Sequence, residues 1–282
     1  MADQAAIPTA AGAVTGAERI AAAFESARGE GRAALMPYLM GGFPDPAGAA
    51  AVAQAYANAG ADLIELGIPF SDPLADGPVI HSAATAALDH GATLDTALVA
   101  CSTVAPRVPV VAMVYANMVL AGGGPDAIAA KLAAAGAAGA IVPDLPREEA
   151  GGTREAFAAR GLALVPLVAP TTPEPRRRAI CAEADGFVYL VSTVGVTGER
   201  DALPEELTEL IAAARAESPV PVAVGFGIAT TEQAHAVGAL ADGVIIGSRL
   251  VREVAEAPSL ANAIASVEGF LAETRAALVR PG

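Results

Sequence analysis

The chain has 282 residues, of which 54% are hydrophobic and 4% aromatic, and its formal net charge is −14. This acidic balance argues against nucleic acid or an anionic membrane as a partner. The two cysteines, Cys101 and Cys181, lie far apart without metal-ligand spacing, which predicts reduced thiols and a cytoplasmic protein. The N-terminal stretch lacks the basic start and long apolar run of a signal peptide.

Along the chain, short apolar runs alternate with amphipathic segments. Residues 1–16 are weakly patterned, and we expect a disordered tail before one catalytic domain over residues 17–282. The predicted strands are 34–40, 62–66, 109–115, 140–142, 162–168, 187–191, 220–224 and 243–246. Helices are predicted between the strands and over 260–277. This alternation favours a single-domain (β/α)8 barrel with additional helices, with a doubly wound open sheet as the alternative.

The lysine and histidine positions argue against two kinds of aldol chemistry. Lys131 is the only lysine and falls within a predicted helix, whereas a Schiff-base aldolase needs a lysine at a strand end. His81, His90 and His235 fall on predicted helices or at their ends and form no ligand cluster, which disfavours a metal-dependent aldolase. We therefore predict that the chain requires no cofactor and no metal.

Glu65 is the most informative residue, because it lies near the end of the apolar strand 62–66. A buried carboxylate is costly unless it is paired, neutral or functional. The alternative is a structural ion pair, but none of the eight predicted strands contains an arginine or lysine. Burial without such a partner raises a carboxyl pKa toward the range used in proton transfer, so we favour a catalytic Glu65.

Two further carboxylates, Asp72 and Asp76, lie in the loop that follows this strand. The alternative for each is a turn residue that caps the next helix. Together with Glu65 they offer two carboxylates in different environments at one strand end. General acid–base catalysis needs such a pair, since one group donates a proton while the other accepts one.

Glycines after three consecutive strands indicate an anion site. Gly198, Gly227 and Gly247 follow the sixth, seventh and eighth strands, and Ser248 comes directly before a short predicted helix at 249–255. In barrels of this class these loops commonly bind phosphate through backbone N–H groups. The alternative is a set of ordinary turn glycines.

The segment 65–78, ELGIPFSDPLADGP, closely resembles the signature of the tryptophan synthase alpha chain family. The resemblance extends over nearly the whole chain after residue 17. It continues through MPY (36–38), YAN (115–117), VPDLP (142–146), GVTG (195–198), GFGI (225–228) and GS (247–248).

This resemblance implies a (β/α)8 barrel that cleaves indole-3-glycerol phosphate to indole and glyceraldehyde 3-phosphate. It implies that Asp76 holds the indole N–H, that Glu65 moves the protons and that Tyr189 supports Glu65. The remaining implied residues are the indole-pocket group Tyr38, Met113, Tyr115 and Phe226, the mobile-loop residue Thr197, and the phosphate group Gly198, Gly227, Gly247 and Ser248. Tyr38 stands where family members often carry phenylalanine, and Met113 where leucine is frequent.

The resemblance also implies a partner, the pyridoxal-phosphate beta subunit, in an alpha2-beta2 heterotetramer. Pro69 and Asp72 are the implied contacts with that subunit. Two alternatives remain open at this point. One is another phosphate-binding barrel enzyme such as an isomerase, and the other is a mainly allosteric binding subunit with little lyase activity alone.

Overall fold

The structure is a computed structural model that describes residues 14–191, 203–225 and 227–280. The described strands are all parallel and pair in one sheet. They are β1 (Ala34–Met40), β2 (Ile64–Gly67), β3 (Val110–Met113), β4 (Gly139–Ile141), β5 (Ala163–Val165), β6 (Leu167–Val168), β7 (Val188–Val191), β8 (Val222–Gly225) and β9 (Gly243–Ile246).

Helices separate most of these strands. They are α1 (Gly16–Gly29), α2 (Pro46–Asn58), α3 (Pro78–Asp89), α4 (Leu94–Val104), α5 (Ala116–Leu120), α6 (Pro125–Ala134), α7 (Gly151–Ala158), α8 (Glu174–Ala182), α9 (Glu205–Glu217), α10 (Thr231–Gly238), α11 (Ser248–Glu256) and α12 (Leu260–Ala277). Within the described residues, no helix is long and apolar enough to cross a membrane.

The sheet closes on itself to form a barrel. The strand order is β5-β4-β3-β2-β1-β9-β8-β7-β6, so β5 and β6 stand at its two ends. These two strands are separated only by Pro166 and are halves of one extended segment. The Tyr189 backbone N–H donates to the Pro166 carbonyl at 3.0 Å. The closed ring therefore confirms the predicted (β/α)8 barrel and excludes the open sheet.

Three local differences from the predicted elements have simple causes. The single predicted strand 162–168 is split, because Pro166 has no backbone N–H to donate to a neighbouring strand. The short helix α5 was not predicted, because five residues are too few to show a helical period. Thr15 caps α1 by accepting from the Glu18 N–H, so the helix starts one residue before the predicted domain boundary.

Alternate residues of the strands face two separate cores. In β1, Leu35 and Leu39 pack in the layer between sheet and helices, whereas Met36, Tyr38 and Met40 face the barrel interior. All seven residues of this strand are buried. Strands covered on both faces are expected to be apolar throughout, and this explains why the runs do not alternate in polarity.

Candidate active site

Glu65 lies inside the barrel, level with Tyr38 on β1 and Val111 on β3. It is only 2% exposed, and its Oε1 atom has no hydrogen-bond partner in the described part of the chain. Burial, with a smaller contribution from the nearby Asp76 charge, raises the pKa of Glu65 to about 8. A carboxyl group in this state holds its proton near neutral pH and is able to release it.

The buried cation nearest in sequence serves another carboxylate. Arg32, just before β1, donates to Asp62 with Nη2 to Oδ1 at 2.7 Å, and Asp62 also accepts from the Leu35 N–H. Lys131 lies in α6 and pairs with Asp95 at 2.7 Å. Neither cation pairs with Glu65, which agrees with the prediction that it has no structural ion pair.

Asp76 reaches the site from the loop between β2 and α3. The hydroxyl of Tyr115 hydrogen-bonds the Asp76 carboxylate and accepts from the Ala75 N–H at 3.2 Å. The Tyr115 ring stacks on Phe70, with ring centroids 5.2 Å apart. Burial raises the pKa of Asp76, whereas the Tyr115 hydrogen bond and His81 act in the opposite direction. Tyr115 thus contacts this loop at Phe70 and Ala75, which precede Asp76, and at Asp76 itself.

The helix-capping alternative for Asp76 does not hold. The N-cap residue of α3 is Gly77, and no side chain makes a capping hydrogen bond there. Asp76 therefore points its carboxylate at Tyr115 instead of the helix terminus. Asp72, in contrast, is exposed and accepts from the Ser71 hydroxyl at 2.5 Å.

Two tyrosines line the interior beside these carboxylates, and each one occupies space left by a glycine. Tyr38 faces Glu65 across β1 and β2, and its hydroxyl lies where a Cβ on Gly67 would stand. Tyr189 has the same relation to Gly225, two residues beyond its own register partner on β8. Burial, then the nearby carboxylates, raises the pKa of both tyrosines, so both hydroxyls stay protonated.

A cavity of about 260 Å³ contains both carboxylates and the predicted anion site. It brings together most of the residues implied by sequence, namely Tyr38, Glu65, Asp76, Met113, Tyr189, Gly227, Gly247 and Ser248. Tyr115 hydrogen-bonds Asp76 but is not among the residues that line the cavity. Thr197, Gly198 and Phe226 lie outside the described residues.

Another part of the cavity lining, its anion-binding end, is formed by glycines and a helix terminus. Gly227 has a φ of 84°, a left-handed conformation that favours glycine. Gly247 is the N-cap of α11, and Ser248 is its first residue. The first N–H groups of a helix have no partner within it, and the helix dipole adds positive potential there, so this end suits an anion.

Several residues that line this cavity were not predicted from the sequence. The apolar ones are Ile80, Ile228 and Ile245, and the basic ones are Arg249 and Arg252. The two arginines could have been predicted as candidates from one feature of the sequence, since both fall in the short helix that directly follows the anion-site residue Ser248. Pro69 is buried in this chain, while Asp72 and Leu74, the latter 84% exposed, lie on the surface of the loop.

A larger cavity of about 340 Å³ lies outside the barrel, between the ends of β4 and β5 and helices α7 and α8. Its charged side chains all have hydrogen-bond partners, since Asp144 accepts from the Ala116 N–H, Arg154 donates to the Glu183 carbonyl and the others form ion pairs. Arg176 forms two hydrogen bonds with Glu148, and Arg147 pairs with Glu183. Among its described residues this cavity has no buried, unpartnered carboxylate oxygen like that of Glu65.

Comparison with known proteins agrees with this geometry. The family model described as tryptophan synthase alpha chain matches residues 24–278. A tryptophan synthase alpha chain from Synechococcus sp. (strain CC9902) is 46% identical over 92% of this chain and 96% of its own length. The corresponding protein from Chloroflexus aurantiacus is 43% identical over 93% and 99%.

Solved structures give the same result. A crystal structure of tryptophan synthase from M. tuberculosis in an open form has a TM-score of 0.84 at 36% identity, covering 93% of this chain and 99% of that chain. The tryptophan synthase alpha subunit from Legionella pneumophila has a TM-score of 0.83 at 35% identity, covering 92% and 98%. The chain belongs to the tryptophan synthase alpha chain family, the lyase subunits that cleave indole-3-glycerol phosphate.

Proposed function

We propose that Glu65 and Asp76 are the catalytic pair with which this chain cleaves indole-3-glycerol phosphate to indole and glyceraldehyde 3-phosphate. The observation that carries the proposal is the buried Glu65, with an unpartnered Oε1 in the described chain, in one cavity with Asp76. The anion-binding end of the same cavity supports a phosphorylated substrate. The indole would lie among Tyr38, Met113 and the isoleucines between the two ends.

The proposed reaction needs no electron sink beyond the substrate itself. Protonated Glu65 delivers its proton to the ring carbon that carries the glycerol chain, and the cationic ring N–H is stabilised by ionised Asp76. Glu65 then takes the proton of the adjacent glycerol hydroxyl. The C–C bond electrons return to the ring, and the products are indole and an aldehyde. Glu65 ends as it began, so the proton count balances.

The direct test of this proposal is indole release from indole-3-glycerol phosphate by the isolated chain, and again with a beta subunit present. Rapid release by the chain alone supports a self-sufficient lyase. Release only with the beta subunit would favour the mainly allosteric alternative. An aldose–ketose type isomerisation with no indole formed would favour a different barrel enzyme and contradict the proposal.

We place the phosphate of the substrate at Gly227, Gly247 and Ser248, and propose that Gly198 adds to this group. The atoms nearest to a Cβ at Gly247 would be those of Tyr38, at 3.6–3.9 Å, which is an ordinary van der Waals distance. Gly247→Val should therefore fold normally but fill the anion site. We expect it to raise the inhibition constant of glycerol 3-phosphate and the KM for substrate together, each at least about 10-fold, as measured by indole release.

The control for this variant is the dephosphorylated substrate. If wild-type protein cleaves it as efficiently as the phosphorylated one, the phosphate site is assigned wrongly. A Gly247→Val protein that binds glycerol 3-phosphate as tightly as wild type would contradict the assignment as well.

We infer that the partner is the tryptophan synthase beta subunit, that the two form an alpha2-beta2 heterotetramer in the cytoplasm, and that Asp72 contacts the partner. The loop that exposes Asp72 and Leu74 also carries Asp76, and Phe70 stacks on the tyrosine that binds Asp76. Pro69, being buried, would shape this loop from beneath. Partner binding and catalysis would then share one element, and each would strengthen the other.

Asp72→Asn tests this coupling. We expect the substitution to reduce activation by the beta subunit several-fold more than it reduces basal cleavage, because Asp72 is exposed and its one side-chain bond is to Ser71. The measurement is the rate of indole formation with and without beta subunit, for wild type and variant. Equal proportional losses in the two assays would mean that the coupling runs through other residues.

A further inference from the structure

One basic residue at the anion-binding end of the cavity has no role in the chemistry described above. Among the described residues that line this cavity, the cations are Arg249 and Arg252. Arg249 is engaged elsewhere, because it pairs with Glu253 and its guanidinium lies over the Phe270 ring, 5.1 Å from the centroid. Arg252 forms no ion pair or side-chain hydrogen bond with any residue in the described ranges.

Helix geometry directs Arg252 toward the phosphate end. Ser248 and Arg252 are four residues apart in α11 and share one face of that helix. The Cα–Cβ bonds of a helix tilt toward its N-terminus, so a long side chain covers the turn before its own Cα. Arg252 is exposed, and its guanidinium is free to reach over Ser248 at the mouth of the cavity.

The charge distribution of the molecule makes a positive charge at Arg252 important for binding an anion. The net charge is −14, and the cavity contains Asp76, which the proposed reaction uses in its ionised form, so an incoming phosphate dianion is repelled by this carboxylate and by the chain as a whole. Backbone N–H groups at Gly227 and Gly247 supply hydrogen bonds but only partial charges. A full positive charge at the rim would offset the repulsion, and a guanidinium matches two phosphate oxygens at once.

We propose that Arg252 binds the phosphate group of the substrate and sets the preference of the site for phosphorylated ligands. The inference rests on the proposed function and deepens it, since it adds a side-chain cation to a site otherwise made of backbone groups. Arg252 acts on the phosphate, which is remote from the bond that breaks. It therefore governs binding more than turnover.

The test compares wild type with Arg252→Gln, Arg252→Lys and the control Arg28→Gln in the full-length chain. Arg28 is exposed in the last turn of α1, so its replacement makes the same change in net charge away from the site. We measure kcat and KM for indole-3-glycerol phosphate, the inhibition constant of glycerol 3-phosphate, and kcat/KM for the dephosphorylated substrate. Each is measured at low and high salt.

We expect Arg252→Gln to raise the KM and the inhibition constant by about 10-fold while kcat changes less than about 2-fold. Cleavage of the dephosphorylated substrate should not change, and Arg252→Lys should fall between wild type and Gln, because it keeps the charge but loses the paired donors. High salt should reduce the difference in KM and in the inhibition constant between wild type and Arg252→Gln. Arg28→Gln should behave as wild type.

Three results would overturn the inference. They are an unchanged KM and inhibition constant in Arg252→Gln, an equal loss with the dephosphorylated substrate, and an equal effect of Arg28→Gln. These outcomes differ from a failure of the proposed function. In that case the wild-type protein would itself release no indole, or glycerol 3-phosphate would not compete.

Discussion

Replacing Glu65 with Gln is expected to lower kcat for indole release by at least about 10²–10⁴-fold, with the barrel still folded. Gln keeps the shape of the side chain but cannot donate and accept the proton in turn. The measurement is single-turnover indole formation with circular dichroism as the check on folding. Glu25→Gln, on the exposed face of α1, is the matched control. Turnover near that of wild type in a folded Glu65→Gln protein would rule out Glu65 as the proton carrier.

The raised pKa of Glu65 also predicts the pH dependence of the wild-type protein. Because the proposed first step needs protonated Glu65, kcat/KM should fall as pH rises through the pKa of about 8. On the acid side it should fall as Asp76 becomes protonated, at a pH above the ordinary pKa of an aspartate, since burial raises that pKa too. A profile that continues to rise above pH 9 would contradict this order of proton transfers.

The same pKa has a consequence for stability, and its sign is opposite to that of a salt-bridged carboxylate. The folded state binds the Glu65 proton more tightly than the unfolded state, so the free energy of unfolding decreases between the unfolded pKa of 4.5 and about 8. Glu65→Gln removes this cost, which is on the order of a few kcal/mol. In urea unfolding, the free energy of unfolding of the variant should therefore increase relative to that of wild type between pH 5 and pH 9.

Asp76→Asn is the second change with a large expected effect, on the order of 10²–10⁴-fold in kcat. Asn presents no negative charge to the cationic indole ring, although its oxygen still accepts from Tyr115. Asp89→Asn, at the exposed end of the following helix α3, is the control for a neutralised aspartate nearby. Tyr115→Phe should give a smaller loss, because it loosens Asp76 without removing its charge. If Asp76→Asn were no worse than Tyr115→Phe, Asp76 would be a loop residue only.

The fold was largely predictable from the chain alone, because strands buried on both faces form uninterrupted apolar runs between helical segments. The predicted strand 34–40 matches β1 residue for residue. The apolar pattern did not show two features. One is the break at Pro166 between β5 and β6, where the barrel closes, and the other is the single-turn helix α5. Both depend on hydrogen bonding between neighbours, and apolar periodicity carries no information about it.

The site was predictable where one residue is unusual in its own segment. Glu65 in an apolar strand and Gly247 before a short helix are of this kind. The bond from Tyr115 to Asp76 joins residues 39 positions apart and follows from strand order and loop path, which the residues themselves do not reveal. The place of Arg252 in the cavity lining could not be predicted for another reason. Its position follows from the face that α11 turns toward the cavity.

The tyrosine–glycine pairs in the barrel interior bear on how this pocket could be redesigned. Tyr38 fills the volume beside Gly67, and Tyr189 fills the volume beside Gly225, so each pair shares one space. Adding a methyl group at either glycine overfills that space, and truncating either tyrosine alone leaves a void. Such substitutions are not additive. A mutant library meant to reshape the substrate pocket must vary the two members of a pair in the same clone, since each single exchange crosses an unstable intermediate.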